Sequence, residues 1–200
     1  MRSVRRARRL RFVVAAALTS LLPFVTRPAA AMTILPLDLP ALTHQAARIF
    51  VGRVERIEAG RDANGLPVTW TTFAVEQTVK GPAGAHVTLK QLGASLGTAD
   101  ARVLPHPGLP RYRPGESVVL FVHPESALGL TSPVGLGQGC FRIRDDHGAN
   151  VAENDVGNRN LASPGAAART LAAPVAPDAT AAPLPLDTLL GRVRALVDEP

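Results

Sequence analysis

The chain has a single cysteine, Cys140, so no disulfide can form within it. A domain without that staple must rest on its core. The sequence also lacks H-E-x-x-H, C-x-x-C and calcium-loop spacings, so no metal or cofactor is expected. His106, His123 and His147 are scattered over loop and strand ends and read as solvated or packing residues. A membrane-length apolar run is missing too. Phe12 to Val25 is apolar apart from Thr19 and Ser20, but its 14 residues fall short of the ~20 that cross a bilayer. No strand–helix–strand alternation occurs, which excludes a parallel α/β fold.

Excess positive charge is absent once its location is considered. The chain holds 22 Lys+Arg against 16 Asp+Glu, a formal +6. Seven of the arginines and none of the acids precede Met32, leaving 15 basic and 16 acidic residues from there on. Those cations alternate with acids, so nucleic acid is not an expected partner.

The first 31 residues have their own order. Arg2, Arg5, Arg6, Arg8, Arg9 and Arg11 come first, the apolar run second, and Ala29 and Ala31 last. Basic, apolar, small is the order of a secretory signal peptide. Arg8-Arg9 lacks the usual surroundings of a twin-arginine signal, so the general secretory route is expected. Cleavage before Met32 predicts a secreted or periplasmic protein with no stable membrane anchor. The abundant alanine and arginine suit a GC-rich bacterium.

Residues 32–160 read as one β-rich domain. Asp38 and Pro40 open a short helix with Leu39, Leu42 and Ala46 on one face. In "ARIFVGRVERIEA", Ile49 and Val51 share a face and Val54 falls on the other, with Gly52 marking a bulge or bend. Asn64-Gly65 signals a turn. The next strand, "VTWTTFAVEQTVKG", predicts Phe73, Val75 and Val79 on one face. In "HVTLKQLG", Val87, Leu89 and Gln91 alternate with Thr88 and Lys90. Residues 93–115 form a long loop, the kind that is functional or disordered. Gly93, His106, Arg111 and Tyr112 are its candidate ligand-binding residues. "ESVVLFVHP" is apolar on both faces and predicts a central, covered strand. Residues 140–154 read as a hairpin turning at Asp145 to Gly148. Residues 161–184 are an Ala/Pro-rich linker; ten of the 22 residues from Ala162 to Pro183 are alanine. Residues 185–200 predict an amphipathic helix capped by Asp187, with Leu189, Leu190, Val193, Leu196 and Val197 as its stripe. That helix would dock on the domain or on a partner.

Three stretches invite chemistry. In "TSPVGLGQGCFRI", Gly135, Gly137 and Gly139 alternate before Cys140. No Lys-Ser or Lys-Thr follows, and the continuation is strand-like, so a phosphate loop is excluded. In extended chain these glycines would bare one face for close packing, a structural role they share with Gly52. Cys140 as a nucleophile needs a neighbouring base, for which His123 and His147 are candidates. "GASLG" matches G-x-S-x-G, with Asp145 and His147 following Ser95 in order. That elbow belongs between a parallel strand and a helix, which this chain does not offer.

The helix, "ARIFVGRVERIEA", "VEQTVKG", "HVTLKQLG" and "GLPRYRPGESVVLFV" together resemble a group of exported bacterial proteins of unassigned function. Their layout is similar to the OB-type barrel of the tissue inhibitors of metalloproteinases and netrin-like modules. The resemblance spans roughly Leu37 to Asn154 and implies a small closed antiparallel barrel, with a short N-terminal helix and a C-terminal helix after a linker. Those inhibitors act through an N-terminal cysteine that this chain lacks, so their mechanism is not implied. The leading expectation is an exported, non-enzymatic binding module for another exported protein or other extracytoplasmic ligand. The alternatives are a small hydrolase using Ser95 or Cys140 and a structural envelope-associated protein.

Overall fold

The computed structural model describes residues 35–95, 102–103, 108–161 and 183–199. The expected signal segment and most of the expected linker lie outside these. Among them no helix is long and apolar enough to cross a membrane.

Helix α1 spans Leu39–Gln45. The Asp38 carboxylate accepts the Ala41 N–H at 2.9 Å, and Pro40 occupies the first turn, where its missing N–H costs nothing. Strands follow as β1 (Arg48–Arg61), β2 (Pro67–Lys80), β3 (His86–Leu92), β4 (Ala94–Ser95), β5 (Arg102–Val103), β6 (Ser117–Val122), β7 (Cys140–Asp146), β8 (Ala149–Asn154) and β9 (Leu184–Pro185). Helix α2 spans Leu186–Asp198. Seven strands form one antiparallel sheet in the order β3-β2-β1-β6-β7-β8-β9; β4 and β5 form a separate pair.

The expected closed barrel is not formed. Closure requires the two end strands of the sheet to hydrogen-bond to each other. Here β3 and β9 lie at opposite ends, and the sheet is neither closed nor strongly curled. Helices supply the second layer instead. The α2 stripe buries Leu189, Leu190 and Val193 with α1's Leu39 and Leu42 against Ile49, Val51, Val119, Phe121, Phe141 and Ala152 of the sheet. Helix on sheet is the other stable way to hide an apolar face. Leu184, read as linker, instead joins Pro185 in pairing with Ala152 and Val151 of β8. Asp187 lies in the first turn of α2 rather than at its cap, where its charge still suits the helix dipole.

The opposite sheet face has its own cluster: Phe50, Val54, Phe73, Leu89, Leu120 and Cys140 among others. Every residue from Val118 to Val122 is buried, with alternate ones on the two faces. That is the central, doubly covered strand the apolar run predicts. Bulges divide the long strands. The β1–β2 register shifts between Ile49 and Phe50, Val51 and Gly52, and Val54 and Arg56. The first two add residues to β2, so Val79 packs with the helix-side cluster rather than beside Phe73 and Val75. Strict alternation cannot foresee that slip.

The β1–β2 turn is built by Asp62, whose Oδ1 accepts the N–H groups of Asn64 and Leu66 at 2.9 Å each. Its other oxygen lies 2.6 Å from Lys90 Nζ on β3. The hydrogen bond from Lys90 holds the Asp62 carboxyl below its ordinary value of 3.8. A lowered folded value contributes stability above pH 3.8 that is lost as pH falls through it. Unfolding followed from pH 6 to pH 2.5 should therefore show a steeper acid loss for wild type than for Asp62→Asn. Parallel curves would contradict this pairing.

Candidate functional site

The inward face of β2 and β3 changes character along its length. Phe73 stands opposite Val87 and Thr71 opposite Leu89, but Thr69 stands opposite Gln91. Alternation keeps Thr69, Thr71 and Gln91 on the same face as Phe73 and Leu89. The apolar cluster thus gives way to polar side chains near the end of β3, beside Ile57, which pairs with Thr71 from β1.

The segment 108–116 covers this place. Tyr112 sets its ring edge-on to Phe73, with centroids 5.1 Å apart at 89°. Val54 exchanges backbone hydrogen bonds with Gly115 and Glu116, both at 2.8 Å. Arg142 of β7 ties the segment down from the other side, donating to Glu116 at 2.7 Å and to the Arg111 carbonyl at 3.2 Å. It also pairs with Asp155.

A cavity of about 140 Å³ remains between β2, β3 and this segment. Ile57, Leu92, Leu109 and Pro110 give it apolar walls; Thr69, Thr71, Gln91, Arg111 and Tyr112 give it polar ones, with Gly93 at its end. The Thr69 hydroxyl is occupied, donating to the Gly93 carbonyl at 2.7 Å. Thr71 Oγ1 and Gln91 Nε2 are fully buried, closed off from the cavity, and have no hydrogen-bond partner; Tyr112 OH is buried against the Cys140 thiol. Such groups are rare because each costs about 1–3 kcal/mol. Thr71 and Gln91 line the cavity with their other atoms. Burial, then the neighbouring thiol of Cys140, raises the Tyr112 hydroxyl well above its usual value. The phenol therefore stays protonated and keeps its donor.

Three of the four loop residues singled out from sequence, Gly93, Arg111 and Tyr112, line this cavity; His106 lies outside the described residues. Thr71 and Gln91 were missed as site residues. Their signal was polarity at inward positions of otherwise apolar strands.

The nucleophile candidates are not brought together. Cys140 is fully buried, and burial pushes its thiol up to about 12. His147 is at the tip of the β7–β8 hairpin, its side chain 99% exposed, seven residues along the chain and roughly 20 Å away. Ser95 lies in β4, paired with Arg102; its side chain and the residues that follow it are outside the description. Among the described residues no three His, Cys, Asp or Glu side chains gather to hold a metal. Folded protein at pH 8 should react with iodoacetamide only on unfolding, and Cys140→Ser should cost about 1 kcal/mol. Rapid alkylation of the native state would contradict this.

"GLGQGC" folds differently from the extended chain expected. Leu136–Gly139 is a 3₁₀ turn, entered through Gly135 in the left-handed region at φ 61°. The glycines still sit at close approaches. A β-carbon on Gly137 would lie 2.7 Å from Asp155 Cβ, and one on Gly139 would collide with the Val134 carbonyl. Gly52 lies over the Phe50 ring, with the Ala74 carbonyl 2.8 Å from where its β-carbon would be.

No protein-family model matches the chain, and no curated protein matches it.

Proposed function

We propose that the protein is an exported, non-enzymatic binding module whose ligand enters the cavity between β2, β3 and the 108–116 segment. The observation that carries this is the cavity itself, about 140 Å³ with Ile57, Leu92, Leu109 and Pro110 as apolar walls and Thr69, Thr71, Gln91, Arg111 and Tyr112 as polar ones. The mix of apolar wall and few convergent polar groups is the usual make-up of a ligand site. The buried thiol and the distant His147 give no support to a hydrolase that pairs the two. The ligand is a small extracytoplasmic compound or a side chain presented by another exported protein.

Export is supported by the basic, apolar, small order of residues 1–31. N-terminal sequencing of the exported protein should find a start at or near Met32; retention of Arg2 to Arg11 would overturn it. Binding is tested by a fragment screen on the folded protein, read through backbone amide shifts. Hits should perturb Thr69 to Thr71, Gln91 to Gly93 and Leu109 to Tyr112. A blank screen, or ester hydrolysis abolished by Ser95→Ala in a folded variant, would defeat the reading.

A further inference from the structure

We propose that the outer edge of β1 takes an extended, acidic segment of another protein as an added strand, with one apolar side chain of that segment seated in the cavity. This deepens the binding-module reading and rests on it. Strand β6 pairs with β1 only from Arg48 to Arg53, and Val54 is held by Gly115 and Glu116. From Arg56 to Arg61, β1 pairs with β2 alone among the described residues. Backbone groups alternate sides along a strand. The Asp62 N–H donates across the turn to the Leu66 carbonyl, which sets Gly60, Glu58 and Arg56 toward β2. Ile57, Ala59 and Arg61 therefore turn their N–H and C=O groups outward, and none of these has a backbone partner among the described residues. Such a row is a template for another strand. In that mode of binding the backbone bonds give affinity and pockets for alternate side chains give specificity.

The cavity meets this edge, because Ile57 belongs to both. Ala59 stands opposite Thr69, and Thr69 opposite Gln91, so the three form a row from the edge to the cavity. Ala59 is exposed and carries only a methyl, and a side chain from an added strand can pass over it. The walls it meets are Ile57, Leu92, Leu109 and Pro110, while the polar ends of Thr71 and Gln91 are closed off. A cavity of about 140 Å³ is close to the ~150 Å³ that holds a benzene molecule. The guest is therefore one side chain of about leucine or phenylalanine size. Charge selects its flanks. Arg61 ends the edge, and Arg111 and Arg113 flank Tyr112 in the covering segment. All three are exposed, and none pairs with an acid among the described residues. Glu58 of the same edge already pairs with Arg56 at 3.5 Å. A second copy of the chain would bring the same arginines to the same place, whereas Asp or Glu on a partner would meet them favourably.

Selection of phage-displayed random twelve-residue peptides on the folded protein tests this, followed by fluorescence anisotropy of the enriched peptides. The consensus should hold one large apolar residue flanked by Asp or Glu. Ala59→Pro removes one outward N–H at an edge, where proline is tolerated. It should weaken the peptides by about tenfold, the upper end for one hydrogen bond. Arg111→Glu should also weaken them, and more at low salt than at high. Thermal unfolding checks that both variants fold; Arg111 is exposed, so its variant keeps the test alive if the other does not. In wild type the amides of Ile57 and Ala59 should exchange more slowly once peptide is bound. Enriched peptides that bind both variants as wild type does, and leave those amides unprotected, would overturn the added strand while the cavity stays a ligand site. A selection without consensus would overturn the proposal too, and the fragment screen then judges the binding-module reading separately. A dimer of the protein that Ala59→Pro dissociates would put a second copy on the edge and overturn it as well.

Discussion

Gly139→Ala is expected to destabilise the protein by about 3 kcal/mol or more, the upper end of overpacking costs. The obstacle is backbone: the new methyl would collide with the Val134 carbonyl and lie 3.0 Å from the Val134 nitrogen. Neither can swing aside as a side chain could. Val134 N donates to the Phe121 carbonyl at 2.8 Å, Gly137 N to Gly108 at 3.1 Å, and Asp155 N to the Gly137 carbonyl at 3.2 Å. Moving the turn therefore disturbs its bonds to β6, to the segment covering the cavity and to the chain after β8. For a chain of this size the melting temperature should fall by roughly 6–12 °C. Gly191→Ala is the control. That glycine lies in the exposed part of α2 with nothing within 4 Å of a β-carbon, so alanine should add about 0.5–1 kcal/mol. Phosphate or nucleotide at millimolar concentration should move neither melting curve. A Gly139→Ala protein melting with wild type would refute the close-packing account of the turn.

Asn154→Ala should be comparably harmful, at about 2–4 kcal/mol. The Asn154 amide is a buried junction. Its Nδ2 donates to the Gln138 carbonyl at 3.0 Å and to Asn160 Oδ1 at 2.9 Å. Its Oδ1 accepts from Asn158 N at 2.8 Å and Val156 N at 3.2 Å. Alanine orphans several of these at once, and each buried orphan costs about 1–3 kcal/mol. Gln138 and Asn160 pass the effect on, because they hold the strap before α1. Gln138 accepts from Leu37 N at 2.8 Å and donates to the Leu35 carbonyl at 3.0 Å. Asn160 donates to the Leu37 carbonyl at 2.6 Å. Urea unfolding of Asn154→Ala should show a lower midpoint with an unchanged slope, and the Leu37 amide should exchange faster in the native state. A midpoint within error of wild type would mean that water takes over the amide's bonds.

Local structure was legible wherever a physical rule acts over a few residues. Asp38 caps α1, Gly65 takes the positive φ of its turn, and His147-Gly148 turn the last hairpin at φ 52° and 87°. The doubly apolar run at Val118 to Val122 announced a central strand. Closure was not legible. Strand count and alternation say which face a side chain takes, not whether the outermost strands meet. The pairing of β8 with Leu184 and Pro185 is a contact across a long interval that no local pattern encodes. Bulges were legible only as a hint at Gly52; the slip that turns Val79 depends on the partner strand's register. At the site, the covering loop was found because its length asked for a purpose. Thr71 was overlooked because a single polar residue in a strand reads as solvent-facing until the faces are assigned; Gln91 was placed on the face of Val87 and Leu89, but one inward polar residue does not mark a site until the covering loop is seen over it.

The most direct measurement is the map of backbone amide shifts of the folded protein as a screened compound binds. The cavity between β2, β3 and the 108–116 segment is the proposed ligand site. A compound that binds should shift the amides of Thr69 to Thr71, Gln91 to Gly93 and the Leu109–Tyr112 stretch. A compound that binds while those amides stay unshifted would contradict the assignment of the cavity as the ligand site.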